Sequence, residues 1–310
     1  MTLTRRQVAL LGVLTLLWGL NWPMMKFSLR EVSPLYFRAL TMSGGTLTLL
    51  AFFAWRGVPL GVSRADALRI AWLAVPNIIG WHLCSIIGLA QLPAGRAAVL
   101  AFTMPVWTVL LAVLLFGERM TARSWLAVVA AITAVGLLAG NELVALAGHP
   151  VGVLWLQAGA FSWALGTVLL RRTRLDAPTE AVTVGMMLLG SVFFWLAAPL
   201  AEPLPAWRGW HAATWWSLLY GVFLNFGYAQ IIWFTLVRAL PAQASAFSVM
   251  AVPLVGIASA TAIVGEVPQP TDWLAALFVA AAIASATRPA PAAAKAASAA
   301  RRARGDNPVP

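Results

Sequence analysis

The chain has 310 residues, of which 61% are hydrophobic and 10% charged, with a net charge of +11 and a mean hydropathy of +0.83. Soluble domains carry about 25% charged residues, so this chain lacks the polar surface to face water, and its place is a lipid bilayer. The positive charges are spread over short connections and a tail rather than one face, which excludes nucleic acid, and the single cysteine, Cys84, excludes an internal disulfide or a cysteine-pair metal site.

A membrane span needs roughly 20 apolar residues. Ten runs qualify: 8–26, 35–55, 68–89, 95–116 and 124–140, then 151–170, 181–199, 214–236, 243–264 and 272–287. Arg5 and Arg6 open the first run as a signal peptide would, but the run continues to Met25 without a small-residue cleavage site, so a retained helix is expected. Its residues Trp18, Asn21, Trp22 and Met25 fall on one helical face. An amide inside a span is costly unless satisfied, so Asn21 either lines a wet cavity or bonds a neighbouring helix. Lys26 ends the run, where a long cation reaches the interface.

In the second run Arg38 lies about one turn inside. A cation there either attracts a carboxylate-bearing solute or pairs with Glu31. The third run spaces Asn77, Trp81, Ser85 and Gly88 along one stripe, with His82 beside it. His82 is either a neutral structural imidazole or a proton carrier. Pro105, in the fourth run, has no amide hydrogen and frees the carbonyl of Ala101, giving a static kink or a hinge. The sixth run places Trp163 eight residues before Arg171, as Trp18 precedes Lys26. The eighth carries Asn225, Tyr228, Gln230 and Trp233, a polar-aromatic stripe expected to face protein and to suit an amphipathic solute. In the ninth, Pro253 repeats the situation of Pro105, and Ser245, Ser248, Val252, Gly256 and Ser259 form a small-residue face suited to close helix packing. Glu118, Glu266 and Arg171 are read as structural helix-end charges. Residues 288–310 are rich in Ala, Pro and Arg without apolar periodicity and are expected to be a disordered basic cytoplasmic tail.

Part of the sequence is written twice. LPAGRAAVLAFTMPVWTVLLAVLLFGE, ending at Glu118, is answered by LPAQASAFSVMAVPLVGIASATAIVGE, ending at Glu266. The same spacing carries Asn77 onto Asn225, Pro105 onto Pro253 and Trp125 onto Trp273. Two domains follow, 8–140 and 151–287, each of five spans. Lys and Arg accumulate on the cytoplasmic side of membrane proteins. Most of them fall on one side, including Arg56, Arg64, Arg119, Arg123, Arg171 and Arg172, if both termini are cytoplasmic. An odd number of spans per copy makes the second copy enter the membrane inverted, so that the copies can exchange roles as inner and outer gate.

WGLNWPMMK (Trp18 to Lys26) and PVWTVLLAVLLFGERMT (Pro105 to Thr121) resemble the EamA family of the drug/metabolite transporter superfamily, and the resemblance covers residues 8–287. The second copy departs from the pattern: Arg171 replaces the lysine, and Val267-Pro268 follows Glu266 where Arg119-Met120 follows Glu118. The resemblance implies an all-α integral membrane protein. It would have ten transmembrane helices in two inverted five-helix repeats around a central cavity, with the fifth and tenth helices peripheral. It also implies a multi-pass protein of the bacterial inner membrane that exports amino acids, other metabolites or drugs. No GxxxxGK[ST] run is present, so transport is expected to draw on the solute gradient or a coupled ion, protons included, without a cofactor. The leading expectation is a secondary exporter of small amphipathic metabolites, amino acids foremost. Efflux of drugs or organic cations is the alternative. A membrane lipid-modifying enzyme is the rival class, but it needs a catalytic cluster at one depth, and histidines 82, 149 and 211 are far apart in sequence.

Overall fold

The computed structural model describes residues 4–144, 149–239 and 242–287, and every regular element in them is helical. The expected tail, 288–310, lies outside the described residues. In chain order the helices are α1 (Arg5–Ser28), α2 (Pro34–Trp55), α3 (Arg64–Ala74), α4 (Trp81–Gln91), α5 (Ala94–Ala101), α6 (Met104–Phe116) and α7 (Ala122–Val144). The second half holds α8 (Pro150–Arg172), α9 (Thr179–Ala201), α10 (Ala212–Leu219), α11 (Ala229–Ala239), α12 (Ala242–Val264) and α13 (Pro270–Thr287). A π-helical segment, Val75–Gly80, joins α3 to α4, and another, Tyr220–Tyr228, joins α10 to α11. Among the described residues, seven stretches are long and apolar enough to cross a membrane. Leu47, Leu114, Leu126, Ile132 and Leu196 lie exposed on the outside of the bundle, as lipid solvent allows. Trp55, Trp207 and Trp216 are exposed towards helix ends, where indole rings favour the membrane interface.

Helix boundaries follow capping chemistry rather than hydropathy. Thr4 and Gln7 form a capping box at the start of α1. The predicted run 68–89 begins earlier, at Arg64, because Ser63 accepts from the Asp66 amide at 3.0 Å and Asp66 stands in the first turn, where the helix dipole favours it. The predicted run 95–116 is not one helix. Phe102 and Thr103 break it, and Pro105 is the second residue of α6, where a missing amide hydrogen costs nothing. Pro105 is thus no mid-helix kink, and Ala101 is the last residue of α5. Pro253, its counterpart, lies buried inside the continuous α12.

The duplication persists in backbone detail. Gly117 and Gly265 close α6 and α12 at φ 65° and 76°, a conformation glycine adopts without strain. Beyond them, the Glu118 amide donates to Ala112 O and the Glu266 amide to Ala260 O, both at 3.3 Å, the same helix closure twice. Asn77 and Asn225 both lie in the π-helical segments.

Helices of one half pack chiefly on helices of the other. The contacts come in exchanged pairs: α1 lies on α12 as α8 lies on α6, and α2 lies on the second π segment as α9 lies on the first. α4 meets α8, while α11 and the π segment before it meet α1. Matching helices also meet directly: α2 with α9, α5 with α12, and α7 with α13. Glycines permit the closest approaches. A Cβ on Gly19 would lie 2.4 Å from Val255, and one on Gly88 only 1.9 Å from Leu156.

Candidate functional site

Hydrogen bonds between connections gather at two ends of the bundle. At one end Lys26 Nζ donates to the Leu89 and Ala90 carbonyls at 2.9 and 3.0 Å, capping α4. Glu202 accepts from the Leu35 and Tyr36 amides at the start of α2. Glu266 accepts from the Ala94 and Gly95 amides at the start of α5, at 2.6 and 3.1 Å. Arg96 Nε donates to Asp272 at 2.8 Å. Glu31 accepts from the His211 amide and the Thr214 hydroxyl and also pairs with His211 Nδ1. The Thr214 and His211 hydrogen bonds pull the Glu31 carboxyl down to about 2, and Glu31 in turn pushes the His211 imidazole up from its ordinary value.

A different set of bonds holds the other end. Asp66 accepts from the Asp176 and Ala177 amides, both at 3.1 Å, and Arg69 reaches the Arg174 carbonyl. Glu118 pairs with Arg172 at 3.1 Å in an exposed contact. The partner is Arg172 rather than Arg171; both arginines are exposed in the last turn of α8. Glu118 and Glu266, matched in sequence, therefore have different partners.

Between the ends lies a small polar group enclosed by aromatic rings. Arg38 is 3% exposed, and its Nη2 donates to the Ser85 hydroxyl at 3.4 Å. His82, one helical turn before Ser85 on α4, is also buried, with its ring 5.3 Å from that of Phe226. Arg38 Nε and His82 Nδ1 are buried without a hydrogen-bond partner among the described residues. The expectation that Arg38 could pair with Glu31 is corrected: Glu31 faces away into the α10 connection, held by the His211 and Thr214 donors. Among the described residues no carboxylate pairs with Arg38.

The other predicted residues make contacts of their own. Trp81 packs edge-on against Trp163 at 5.6 Å. Asn77 donates to the Leu73 carbonyl at 3.0 Å, within its own helix, and presses on Gly166, where a Cβ would lie 2.4 Å from it. Asn225, next to Phe226, is buried. On α1, Trp18 meets Trp233 at 5.4 Å and Trp22 meets Phe102 at 6.5 Å, while Asn21 is partly buried and makes only a long contact to Met25 Sδ at 3.5 Å. Tyr228 is 47% exposed and so falls outside the buried set, because the wider π turn rotates it away from the face of Asn225. Of the small-residue face on α12, Ser245 and Ser248 have side chains outside the described residues.

One polar residue escaped the sequence reading. Gln157 accepts from Trp107 Nε1 at 3.0 Å and from the Thr103 hydroxyl at 3.2 Å, and donates to the Leu100 carbonyl at 3.1 Å. It stitches the break between α5 and α6 to α8. Its signal was a lone amide inside the predicted span 151–170, the same kind of signal that singled out Asn21.

Comparison with known proteins follows the geometry. The family model described as the EamA-like transporter family matches residues 6–140 and again 150–288. The uncharacterized transporter YvbV of Bacillus subtilis is 28% identical over 284 residues, covering 88% of each chain. The uncharacterized inner membrane transporter YedA of Escherichia coli is 26% identical, over 86% of this chain and 85% of its own. A probable amino-acid metabolite efflux pump of Escherichia coli is 26% identical over 86% of this chain and 91% of its own. A solved structure, titled only "Crystal structure of protein", matches with a TM-score of 0.66 at 21% identity, over 91% of this chain and 96% of that one, so the fold is shared.

Proposed function

The chain belongs to the EamA-like transporter family and is a multi-pass inner-membrane protein, and on that premise we propose that it exports small amphipathic metabolites, amino acids foremost, by alternating access. The observation that carries this reading is the exchanged pairing of the two halves, α1 on α12 answered by α8 on α6. Two copies that meet through interchangeable contacts can rock about the enclosed group of Arg38, His82 and Ser85 and open each end in turn. In this reading ten spans form two inverted repeats, and both termini are cytoplasmic. The richly bonded end, with Glu202 and Glu266 as carboxylate caps, is then the closed outer gate. A relative named as an amino-acid metabolite efflux pump supports the substrate class.

Efflux of organic cations is the second reading, and a buried guanidinium in the route opposes it by like-charge repulsion. His82 is an interior titratable group through which proton coupling would run. Purified protein in proteoliposomes preloaded with radiolabelled amino acids tests the proposal: protein-dependent efflux is expected, and an imposed pH gradient separates coupled from uncoupled transport. Absence of flux for amino acids, nucleosides and organic cations alike would overturn it. In a Cys84→Ser background, a cysteine at Thr121 should be labelled from the cytoplasm and one at His211 from outside. The reverse pattern would refute the orientation.

A further inference from the structure

Arg38 is a permanent cation in the interior of the bundle with no countercharge among the described residues. A guanidinium carries five N–H donors and is not deprotonated in proteins. In the structure its Nε meets no acceptor, and the one hydrogen bond to a neighbouring helix, to Ser85, is long at 3.4 Å. The Phe37 ring lies 5.8 Å from the guanidinium carbon, at the outer edge of a cation–π contact, and a neutral ring supplies no countercharge. The carboxylates with described partners are held at the two ends: Glu202 and Glu266 by helix amides, Glu31 by His211, Asp66 by Arg69, Asp272 by Arg96, and Glu118 by Arg172. A second donor-capable atom, His82 Nδ1, is buried without a partner one turn from Ser85. Buried polar groups are ordinarily satisfied, and two such atoms on facing helices mark a site whose missing partner comes from outside the chain.

We propose that Arg38, with Ser85 and His82 beside it, is a carboxylate subsite: it binds the carboxylate of a transported solute whose apolar body lies against the surrounding rings. The planar fork of the guanidinium matches a carboxylate in two-point contact, which a hydroxyl or amide does not equal. The rings of Trp81, Trp163 and Phe226 supply the apolar wall. This proposal rests on the exporter reading, and it narrows the substrate class to anionic or zwitterionic carboxylates. It also gives Ser85 a role: its hydroxyl positions the guanidinium while itself donating to the His82 carbonyl at 3.3 Å.

The test separates binding from transport. Full-length protein in detergent is titrated with L-leucine and 4-methylpentanoate, which carry the carboxylate, and with L-leucinamide and isopentylamine, which do not. Ligand-induced thermal stabilisation gives the apparent Kd. Both carboxylates are expected to stabilise the wild-type protein, and the two uncharged-end or cationic analogues to bind at least about thirtyfold more weakly. Arg38→Gln should level the two classes, and Arg38→Lys should restore part of the preference, since it keeps the charge without the fork. Circular dichroism and monodispersity of the variants identify misfolding, and a Ser85→Ala variant, which keeps the guanidinium but removes the hydroxyl that positions it, should weaken the carboxylates about two- to fivefold. Equal binding of both classes by the wild type, no stabilisation by either carboxylate, or an undiminished preference in folded Arg38→Gln would each overturn the subsite. Carboxylate binding without flux of any probe in proteoliposomes would instead overturn the exporter reading and leave the subsite standing.

Discussion

Glu266→Ala should destabilise the protein by about 2–4 kcal/mol, and Glu118→Ala by less than about 1 kcal/mol, although the two glutamates are equivalent in the duplicated sequence. The first turn of a helix has amide hydrogens with no partner inside the helix. Glu266 takes two of these from α5, at 2.6 and 3.1 Å. A hydrogen bond to a charged group contributes about 1.5–3 kcal/mol, so two would contribute about 3–6 kcal/mol, and the part-buried setting, where water replaces some of the lost bonding, brings the loss down to about 2–4 kcal/mol. Glu118 instead meets Arg172 with side chains 56% and 54% exposed, and an exposed ion pair contributes about 0–1 kcal/mol. Unfolding of purified protein in mixed micelles by titrated dodecyl sulfate, followed by the fluorescence of its sixteen tryptophans, measures both. Glu266→Gln keeps a neutral acceptor and should recover roughly half of the loss. Equal losses for the two alanine variants would refute the assignment of Glu266 as the cap of α5.

Glu31 and His211 predict a pH dependence confined to one end of the bundle. The His211 imidazole is raised, so its contribution is complete below its unfolded value and is lost as pH rises through its folded one; Glu31 is lowered to about 2, so its contribution is present above the ordinary carboxylate range and is lost as pH falls towards 2. The stability difference between wild type and His211→Gln should therefore be largest at acidic to neutral pH and shrink as pH rises into the alkaline range, and a constant difference would count against the pair. Gly88→Ala puts a Cβ 1.9 Å from Leu156 and 3.0 Å from the Gly152 carbonyl, so it should cost about 1–3 kcal/mol by forcing α4 off α8, whereas Gly136→Ala meets nothing within 4 Å and should be neutral; micelle unfolding of both compares them. Trp18→Ala and Asn77→Ala should lower the initial efflux rate while monodisperse protein is still recovered from the membrane, and unchanged rates in both would move the route elsewhere.

The membrane setting and the duplication were legible because hydropathy and the recurrence of Asn77, Pro105 and Gly117 at one spacing are properties of the linear chain. The local backbone kept faith with that recurrence at the glycine closures and the π segments. It departed at the prolines: the same residue starts a helix in one copy and rides inside one in the other. What differs is the surroundings, since Gln157 from α8 satisfies Thr103 and the Leu100 carbonyl at the break between α5 and α6.

Apolar runs, positive loops and capping residues act on their immediate neighbourhood, so the sequence by itself determined a helical membrane protein of two related halves and marked Arg38 as a misplaced charge. The tertiary structure alone decided which partner each polar group received. Glu31 went to His211, Glu266 to the α5 amides and Glu118 to an exposed arginine, while Arg38 received only a distant hydroxyl. Those pairings join residues tens to hundreds of positions apart. A polar group takes whatever donor or acceptor folding brings beside it, and no local pattern encodes that choice.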